Sequence, residues 1–299
     1  VDAEPERGDR LEAQVRALDE GRALAHGAGL RTVALRGTDA LRWANDLLSA
    51  ALHRLAPGEA TRTLLLSPTG RIRADVHAVR DEAALVLLQP SDHPRALESL
   101  LAPYVLSSDV RLEDRTEELE VISVQDASLL DGLRPLPGMI TGRPSRLGVG
   151  ADLLVPRGRS TSLVDRLRER GAVEVSPEAL ERWRILRGRP RFPVDLGEDS
   201  VPAEAGLEDA IDFTKGCFLG QEAVAKIRRL GHPARVVLAL RAPNPVEVGA
   251  PILAGADEVG RVTSATGLGT GSALIGRVRW GARSSELATR GGAALLRPV

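Results

Sequence analysis

DFTKGCFLGQEAVAKIRR, residues Asp212 to Arg229, contains the only cysteine of the 299-residue chain, Cys217. It stands between Lys215-Gly216 and Phe218-Leu219-Gly220-Gln221-Glu222. Ala223, Val224, Ile227 and Leu230 recur at helical spacing, which predicts a helix that starts near Leu219 or Gly220 and ends at Gly231. Cys217 then precedes a helix N-terminus, where the positive end of the dipole and Lys215 both favour a thiolate. Gly216 and Gly220 permit tight backbone or the close approach of a ligand. The competing reading is a small apolar side chain filling a turn, which is how most unpaired cysteines behave. A single cysteine excludes an intrachain disulfide and cannot by itself supply a zinc or iron–sulfur site.

Working outward from this stretch, the segment upstream is mixed. A polar helix is expected from Glu6 to Ala25, followed by an alternating strand at RTVALRG. Thr38-Asp39 is expected to cap a helix carrying Leu41, Ala44, Leu47, Leu48, Ala51 and Leu55. TRTLLLS, RIRADVHAV and ALVLLQ, separated by Pro68-Thr69-Gly70 and Asp81-Glu82, read as an antiparallel meander. A helix near Pro94–Leu101 and a strand at DVRLED complete this part. LEVISVQ opens a second unit that continues through the Gly/Pro-rich residues 132–150, the strand DLLVP, a helix at Thr161–Arg170 and AVEVS. Ser176-Pro177-Glu178 starts a further helix that ends near Gly188. Beyond Gly231-His232-Pro233 short strands separated by Gly and Pro predict a small barrel. The lack of regular βαβ alternation makes the whole α+β.

Composition narrows the function classes. Hydrophobic residues make up 43% and aromatic residues only 2%, so the core rests on Leu, Val, Ile and Ala. A formal net charge of −1 gives no basis for direct DNA binding or for attraction to an anionic membrane. The charged residues Val1–Arg10 do not resemble a signal peptide, and no apolar run approaches the ~20 residues of a membrane helix. With one cysteine, these features predict a cytoplasmic protein. No phosphate-binding GxxxxGK[ST] loop and no GxSxG elbow occurs. GLGTGS at Gly267 lies among short strands and reads as a hairpin loop. His26, His53, His77, His93 and His232 show no metal-ligand spacing. Basic residues gather in RWRILRGRPR (Arg182, Arg184, Arg187, Arg189, Arg191), which reads either as a solvated cationic face or as an anion site.

KGCFLGQE resembles the K-G-C-[YF]-x-G-Q-E signature of YgfZ-like folate-binding proteins, relatives of the aminomethyltransferase (T protein) of the glycine cleavage system. VALRGTDALRWANDLLS, LAPGEATRTLLLSPTGRIRADV, ERWRILRGRPRFPVD with VPAEAGL, GHPARVVLAL and VGRVTSA are similar to that family's segments in the same order. The likeness runs from about Gly8 to Leu296. It implies a three-domain, ring-like GcvT/YgfZ arrangement with a central folate pocket. Residues 6–118, completed by 176–230, would form the folate-binding domain, 119–175 a ferredoxin-like middle domain, and 231–299 the barrel.

The resemblance also implies roles for particular residues. Cys217 and Lys215 would carry the chemistry. Asp75, Trp183, Arg184, Phe192, Gly216, Gln221 and Glu222 would contact tetrahydrofolate or a polyglutamylated derivative, Asp75 at the pterin and Arg184 at the glutamate tail. No metal ligand is implied. Leu186 occupies the position of the pterin-contacting glutamate of T proteins, a departure that points away from aminomethyl transfer. The function implied is support of iron–sulfur cluster assembly or repair, with effects on tRNA-modifying iron–sulfur enzymes and with iron–sulfur client or assembly proteins as partners. A folate-dependent aminomethyltransferase or demethylase, and a non-catalytic folate-binding module, are the alternatives.

Overall fold

The structure, a computed structural model, describes residues 3–27, 29–289 and 295–298. The chain divides into two compact units. The first comprises Val1–Leu65, Arg73–Leu180 and Ala210–Leu219, and the second Leu66–Ile72, Glu181–Asp209 and Gly220–Val299.

The elements in the first part of the chain are α1 (Ala3–Asp19), β1 (Ala23–His26), β2 (Leu30–Arg36), α2 (Ala40–Leu47), β3 (Ala60–Leu66), β4 (Ile72–Arg80), β5 (Leu85–Pro90), α3 (Leu97–Leu101) and β6 (Arg111–Asp114). They are followed by β7 (Leu119–Val124), β8 (Ile140–Gly142), β9 (Ala151–Pro156), α4 (Thr161–Glu169), β10 (Val173–Glu174) and α5 (Pro177–Leu186). One sheet has the order β3-β4-β5-β2-β6, the other β10-β1-β7-β9-β8. Alternation along the strands separates two apolar layers. Val33, Leu35, Ala74, Val76, Ala78, Leu85 and Leu87 meet Ala44, Leu48, Leu97 and Leu101 of the helical side. Ala34, Val79, Val86 and Leu88 point the other way, against Leu119, Val121 and Leu154 of the second sheet. Ile122, Val124, Leu153 and Val155 then face Leu163, Val164 and Leu167 of α4. Strands buried on both faces explain how a chain so poor in aromatic residues builds a core.

The sheet order revises two expectations. The helix expected over Glu6–Ala25 ends at Asp19. Gly21, at φ 74°, closes it in a Schellman arrangement, with the Arg22 amide donating to the Ala17 carbonyl and the Gly21 amide to that of Leu18. Ala23–His26 then form a strand that pairs with β7 and β10. The segment expected in the first domain thus completes the sheet of residues 119–175. Likewise, α2 ends at Leu47, because Leu48 turns to extended backbone. The Asp39 side chain does not cap it: its Oδ2 accepts from the Asp109 amide, while Thr38 donates to the Asp109 carboxylate. Ser176 does cap α5, its hydroxyl accepting from the Ala179 amide at 3.2 Å.

In the second unit, α6 (Gln221–Leu230) precedes β11 (Arg235–Ala242), β12 (Pro251–Ala254), β13 (Asp257–Leu268), β14 (Gly271–Arg279), β15 (Leu287–Thr289) and β16 (Leu295–Pro298). The strands close into a barrel in the order β11-β14-β13-β12-β15-β16, as the spacing of short strands predicts. Leu240, Ile252, Val262, Leu274 and Val278 fill it. Ile185 and Leu186, from the end of α5, pack on Ala273 and Ile275 of β14. The β3–β4 turn closes with the Gly70 amide on the Ser67 carbonyl, and α6 begins against it. Gly220, the cap of α6, has φ 82°, and a Cβ there would lie 2.4 Å from the Ser67 carbonyl oxygen. A Cβ at Gly216 meets nothing within 4 Å, and its φ is outside the left-handed range. Of the two glycines expected to permit tight backbone, the demanding one is Gly220. Gly220→Ala should cost about 1–3 kcal/mol of stability, and Gly216→Ala no more than about 0.5 kcal/mol, in urea denaturation.

Candidate functional site

Cys217 is an exposed, unpaired thiol. The turn that carries it is anchored on both sides. Asp212 and Thr214 form an Asx turn: the Asp212 Oδ1 accepts from the Thr214 amide (2.7 Å), the Thr214 hydroxyl (2.6 Å) and the Lys215 amide (3.1 Å). The Thr214 hydroxyl and amide hold the Asp212 carboxyl below the usual range. Its other oxygen accepts from Arg54 at 2.7 Å. The Asp212 amide donates to the carbonyl of Ser49, whose buried hydroxyl donates to the carbonyl of Ala210 at 2.7 Å. Beyond the cysteine, Phe218 is buried and Leu219 packs on the core of α2 and α3.

Lys215 turns inward. Its side chain is buried, and its ammonium donates to the carbonyls of Asn45, Leu48 and Ala50, the last at 2.8 Å. Three donors meet three acceptors at the C-terminal end of α2, where a cation is favoured by the helix dipole. Burial pulls its pKa down to about 8, against the opposing charges of Asp46 and Asp212, and the group stays mainly protonated at pH 7. Every proton of the ammonium is thus donated to a backbone carbonyl, which leaves only its charge to act on the thiol. Cys217 also stands three positions before the capping Gly220, outside the first turn of α6. Arg54, Asp212 and Asn45 were not singled out from sequence. The D-x-T pattern at Asp212 was the one readable sign, since Asp and Thr two residues apart form such turns.

Within the arginine-rich stretch of the second unit, Arg184 is internally paired. The buried Arg184 donates to Glu181 through Nε (2.7 Å) and Nη2 (2.5 Å), to Asp195 (2.7 Å) and the Arg189 carbonyl (3.2 Å) through Nη1, and to Ser264 (2.8 Å). Burial disfavours its charge, but Glu181 and Asp195 outweigh this and raise its pKa. All five donors are taken, so the expected contact with a folate tail is replaced by an internal ion-pair cluster. Trp183 is buried with the Arg189 guanidinium over its ring at 4.4 Å, and Phe192 is buried, so neither offers an open stacking face. Leu186 lies among Ile185, Ala273 and Ile275, an apolar setting that would penalise a glutamate there.

Asp75 is the expected contact that keeps an open capacity. It pairs with Arg62 through two hydrogen bonds, at 2.9 and 2.5 Å. A carboxylate has about four acceptor sites, so this pair fixes its orientation without exhausting it. Gln221 and Glu222 stand on α6 and, with Ala225, Lys226 and Arg229, line an open groove of about 560 Å³. Gly216 is exposed beside Cys217. Thus Lys215, Gly216 and Cys217 share one turn of the first unit, which also holds Asp75, whereas Trp183, Arg184, Phe192, Gln221 and Glu222 belong to the second. Among the described residues no group of three or more His, Cys, Asp or Glu could hold a metal ion, and no helix is long and apolar enough to cross a membrane.

A serine, a histidine and an aspartate also meet inside the first unit. The Ser145 hydroxyl donates to Asp152 at 2.7 Å, and the His77 Nε2 stands 3.1 Å from the Pro144 carbonyl and 3.4 Å from Asp152. The serine is bonded to the aspartate rather than to the histidine, and all three are buried. This is a structural cluster, without the serine-to-base bond that nucleophilic catalysis requires.

The chain is 27% identical to a candidate chloroplastic transferase of Arabidopsis thaliana, across 87% of this chain and 65% of that protein. It is 27% identical to a mitochondrial IBA57 homologue, an iron–sulfur cluster assembly factor, of Cryptococcus neoformans, across 73% of this chain and 66% of that protein. It is 28% identical to an aminomethyltransferase of Rubrobacter xylanophilus, across 82% of this chain. Its homologues are aminomethyltransferase-like and IBA57-like proteins. Sequence therefore supports the superfamily shared by aminomethyltransferases and YgfZ-like proteins and marks out no single member of it. The fold is that of an aminomethyltransferase: the glycine cleavage system aminomethyltransferase T of Bartonella henselae superposes with a TM-score of 0.78 at 20% identity, over 95% of this chain and 87% of that one. No protein-family model matches the chain. The chain spans slightly under two thirds of the length of the first two relatives.

Two outcomes follow from these clusters. Arg184→Ala leaves the buried Asp195 without its ion partner and should lower stability by about 3–5 kcal/mol in chemical denaturation. An unchanged midpoint with weakened tetrahydrofolate binding would return Arg184 to the tail-binding role. His77 has its pKa lowered, first by burial, with Asp152 opposing. Its native form binds fewer protons than the unfolded chain once pH falls below the ordinary histidine value of about 6.5. Stability should therefore decline as pH falls through about 6.5. His77→Gln should flatten that part of the profile in thermal melts between pH 5 and 7.5, all of them about the same ordinary histidine range.

Proposed function

We propose that this chain is a tetrahydrofolate-binding factor that supports iron–sulfur cluster assembly or repair through Cys217. The observation that carries the reading is the exposure of the only thiol at the tip of a turn whose flanking residues, Lys215 and Phe218, are buried. A buried filler would turn the sulfur inward; here it faces solvent. One thiol can join a mixed disulfide or contribute one ligand to a cluster, and both acts need a second sulfur from elsewhere. The partner is accordingly an iron–sulfur client or assembly protein, which agrees with the IBA57 relative being an iron–sulfur cluster assembly factor. The effects on tRNA-modifying iron–sulfur enzymes that the sequence resemblance implies belong to the same reading.

The residues present fit a folate at its pterin end better than at its tail. Asp75, oriented by Arg62, retains acceptor capacity for the N–H groups of a pterin, whereas the donors of Arg184 are filled. Bound tetrahydrofolate would supply one-carbon carrier chemistry. Asp75 would bind and orient the ring, and Cys217 would meet the partner.

A folate-dependent aminomethyltransferase is the second reading, favoured by the fold match and by the Rubrobacter relative. Against it stands Leu186, in its apolar setting, at the position of the pterin-contacting glutamate. Complementation separates the two. In a strain lacking the chain, iron–sulfur enzyme activities should fall and recover with the wild type but not with Cys217→Ala, while glycine cleavage is unaffected. Loss of glycine cleavage with intact iron–sulfur enzymes would favour the transferase. Calorimetric titration with tetrahydrofolate and its polyglutamates should give a saturable signal that Asp75→Asn weakens by about 1–3 kcal/mol, and a flat titration would remove folate from the proposal.

A further inference from the structure

We propose that Lys215 is a positioning residue for Cys217: its ammonium, seated on the carbonyls at the end of α2, holds the cysteine-bearing turn in one conformation and acts on the thiol through geometry rather than charge. The inference rests on the reading of Cys217 as the working thiol.

Taking an ammonium out of water is unfavourable unless its donors are fully satisfied. Here Asn45, Leu48 and Ala50 present three carbonyls to three N–H bonds, and the Phe218 ring stands 5.1 Å from Nζ on a further side. The ammonium therefore joins residues 45–50 to the two residues flanking the exposed tip, Lys215 by its own chain and Phe218 by its ring. Asp212 anchors the near side, with three hydrogen bonds into the turn and an ion pair to Arg54. Leu219 anchors the far side in the core. Only Gly216 and Cys217 are left exposed between the buried Lys215 and Phe218. Gly216 has room for a side chain and no left-handed φ, so the conformation of the tip is imposed by its anchors and not by the glycine.

A thiol held in this way meets a partner sulfur or a cluster iron without first ordering its own loop. Each residue already ordered removes a conformational-entropy cost from the encounter. That advantage is geometric, and it vanishes if the turn is loosened even when the thiol itself is unchanged.

Because Cys217 is the only cysteine, a nitroxide reagent labels it alone. The electron paramagnetic resonance spectrum of the labelled chain should show restricted motion, and Lys215→Met should shift it to fast motion. Amide exchange over residues 214–219 should accelerate by about tenfold or more in that variant. The midpoint of the pH–rate profile for Cys217 alkylation by iodoacetamide should stay where it is in the wild type. Since Lys215→Met leaves three carbonyls buried and can unfold the chain, Asp212→Ala provides a second route. It loosens the same turn from the other side and should mobilise the label in the same direction. Identical spectra and exchange in the wild type and the folded variants would overturn the proposal. So would an alkylation midpoint raised by about one pH unit in Lys215→Met, which would mean that the lysine acts by charge. A mobilised label together with full rescue by Cys217→Ala would overturn the functional reading and leave the positioning role standing.

Discussion

The seat of Lys215 on three backbone carbonyls is the interaction on which the cysteine turn depends. A buried ammonium is tolerated only where hydrogen bonds replace its hydration, and the end of α2 supplies them. That end exists because α2 stops at Leu47 instead of running to Leu55. The chain past it, extended at Leu48 and turning through Ala50, points its carbonyls at one spot. Residues about 165 to 170 positions apart in sequence are thereby joined, and the exposed thiol inherits its place from a contact it does not make.

The same economy of charge runs through the rest of the molecule. An arginine-rich chain with a net charge of −1 could have carried a cationic face. Instead several of its arginines pair with carboxylates of the chain. Arg184 is enclosed by Glu181 and Asp195, Arg62 by Asp75, and Arg277 by Glu204 and Asp199, the last also shared with Arg235. The guanidinium fork suits carboxylates wherever they come from, and here they come from the chain itself. This is why Arg184 of RWRILRGRPR, a stretch that reads in sequence as a candidate anion site, is tied into the barrel unit by Glu181, Asp195 and Ser264.

Much of the fold was legible because periodicity records burial directly. The meander of β3, β4 and β5, the helix α6 bounded by Gly220 and Gly231, and the strands of the barrel follow from alternation and turn residues. The boundaries of the meander strands and of α6 differ from the structure by one or two residues, whereas β13 runs three residues past its expected end and β15 was not expected. The strand Ala23–His26 was missed because ALDEGRALA keeps a helical pattern across Gly21, and only the gap between β7 and β10 makes a strand of it. The early end of α2 was missed for a similar reason: Leu48 and Leu52 remain apolar and buried, but in other conformations.

The sequence by itself determined the α+β class, the closed C-terminal barrel, the superfamily resemblance and the singular Cys217. Each of these is written in local composition, spacing or motif. Only the tertiary structure decided which partners the polar residues take. Lys215 seats its ammonium on the carbonyls of α2, Arg184 pairs with Asp195, and of the two motif glycines Gly220 is the one its surroundings demand. The physical reason is that a charge or a hydrogen-bond donor has no periodicity. Its role is set by whichever acceptor the fold brings within about 3 Å, and that acceptor is usually far away in the chain.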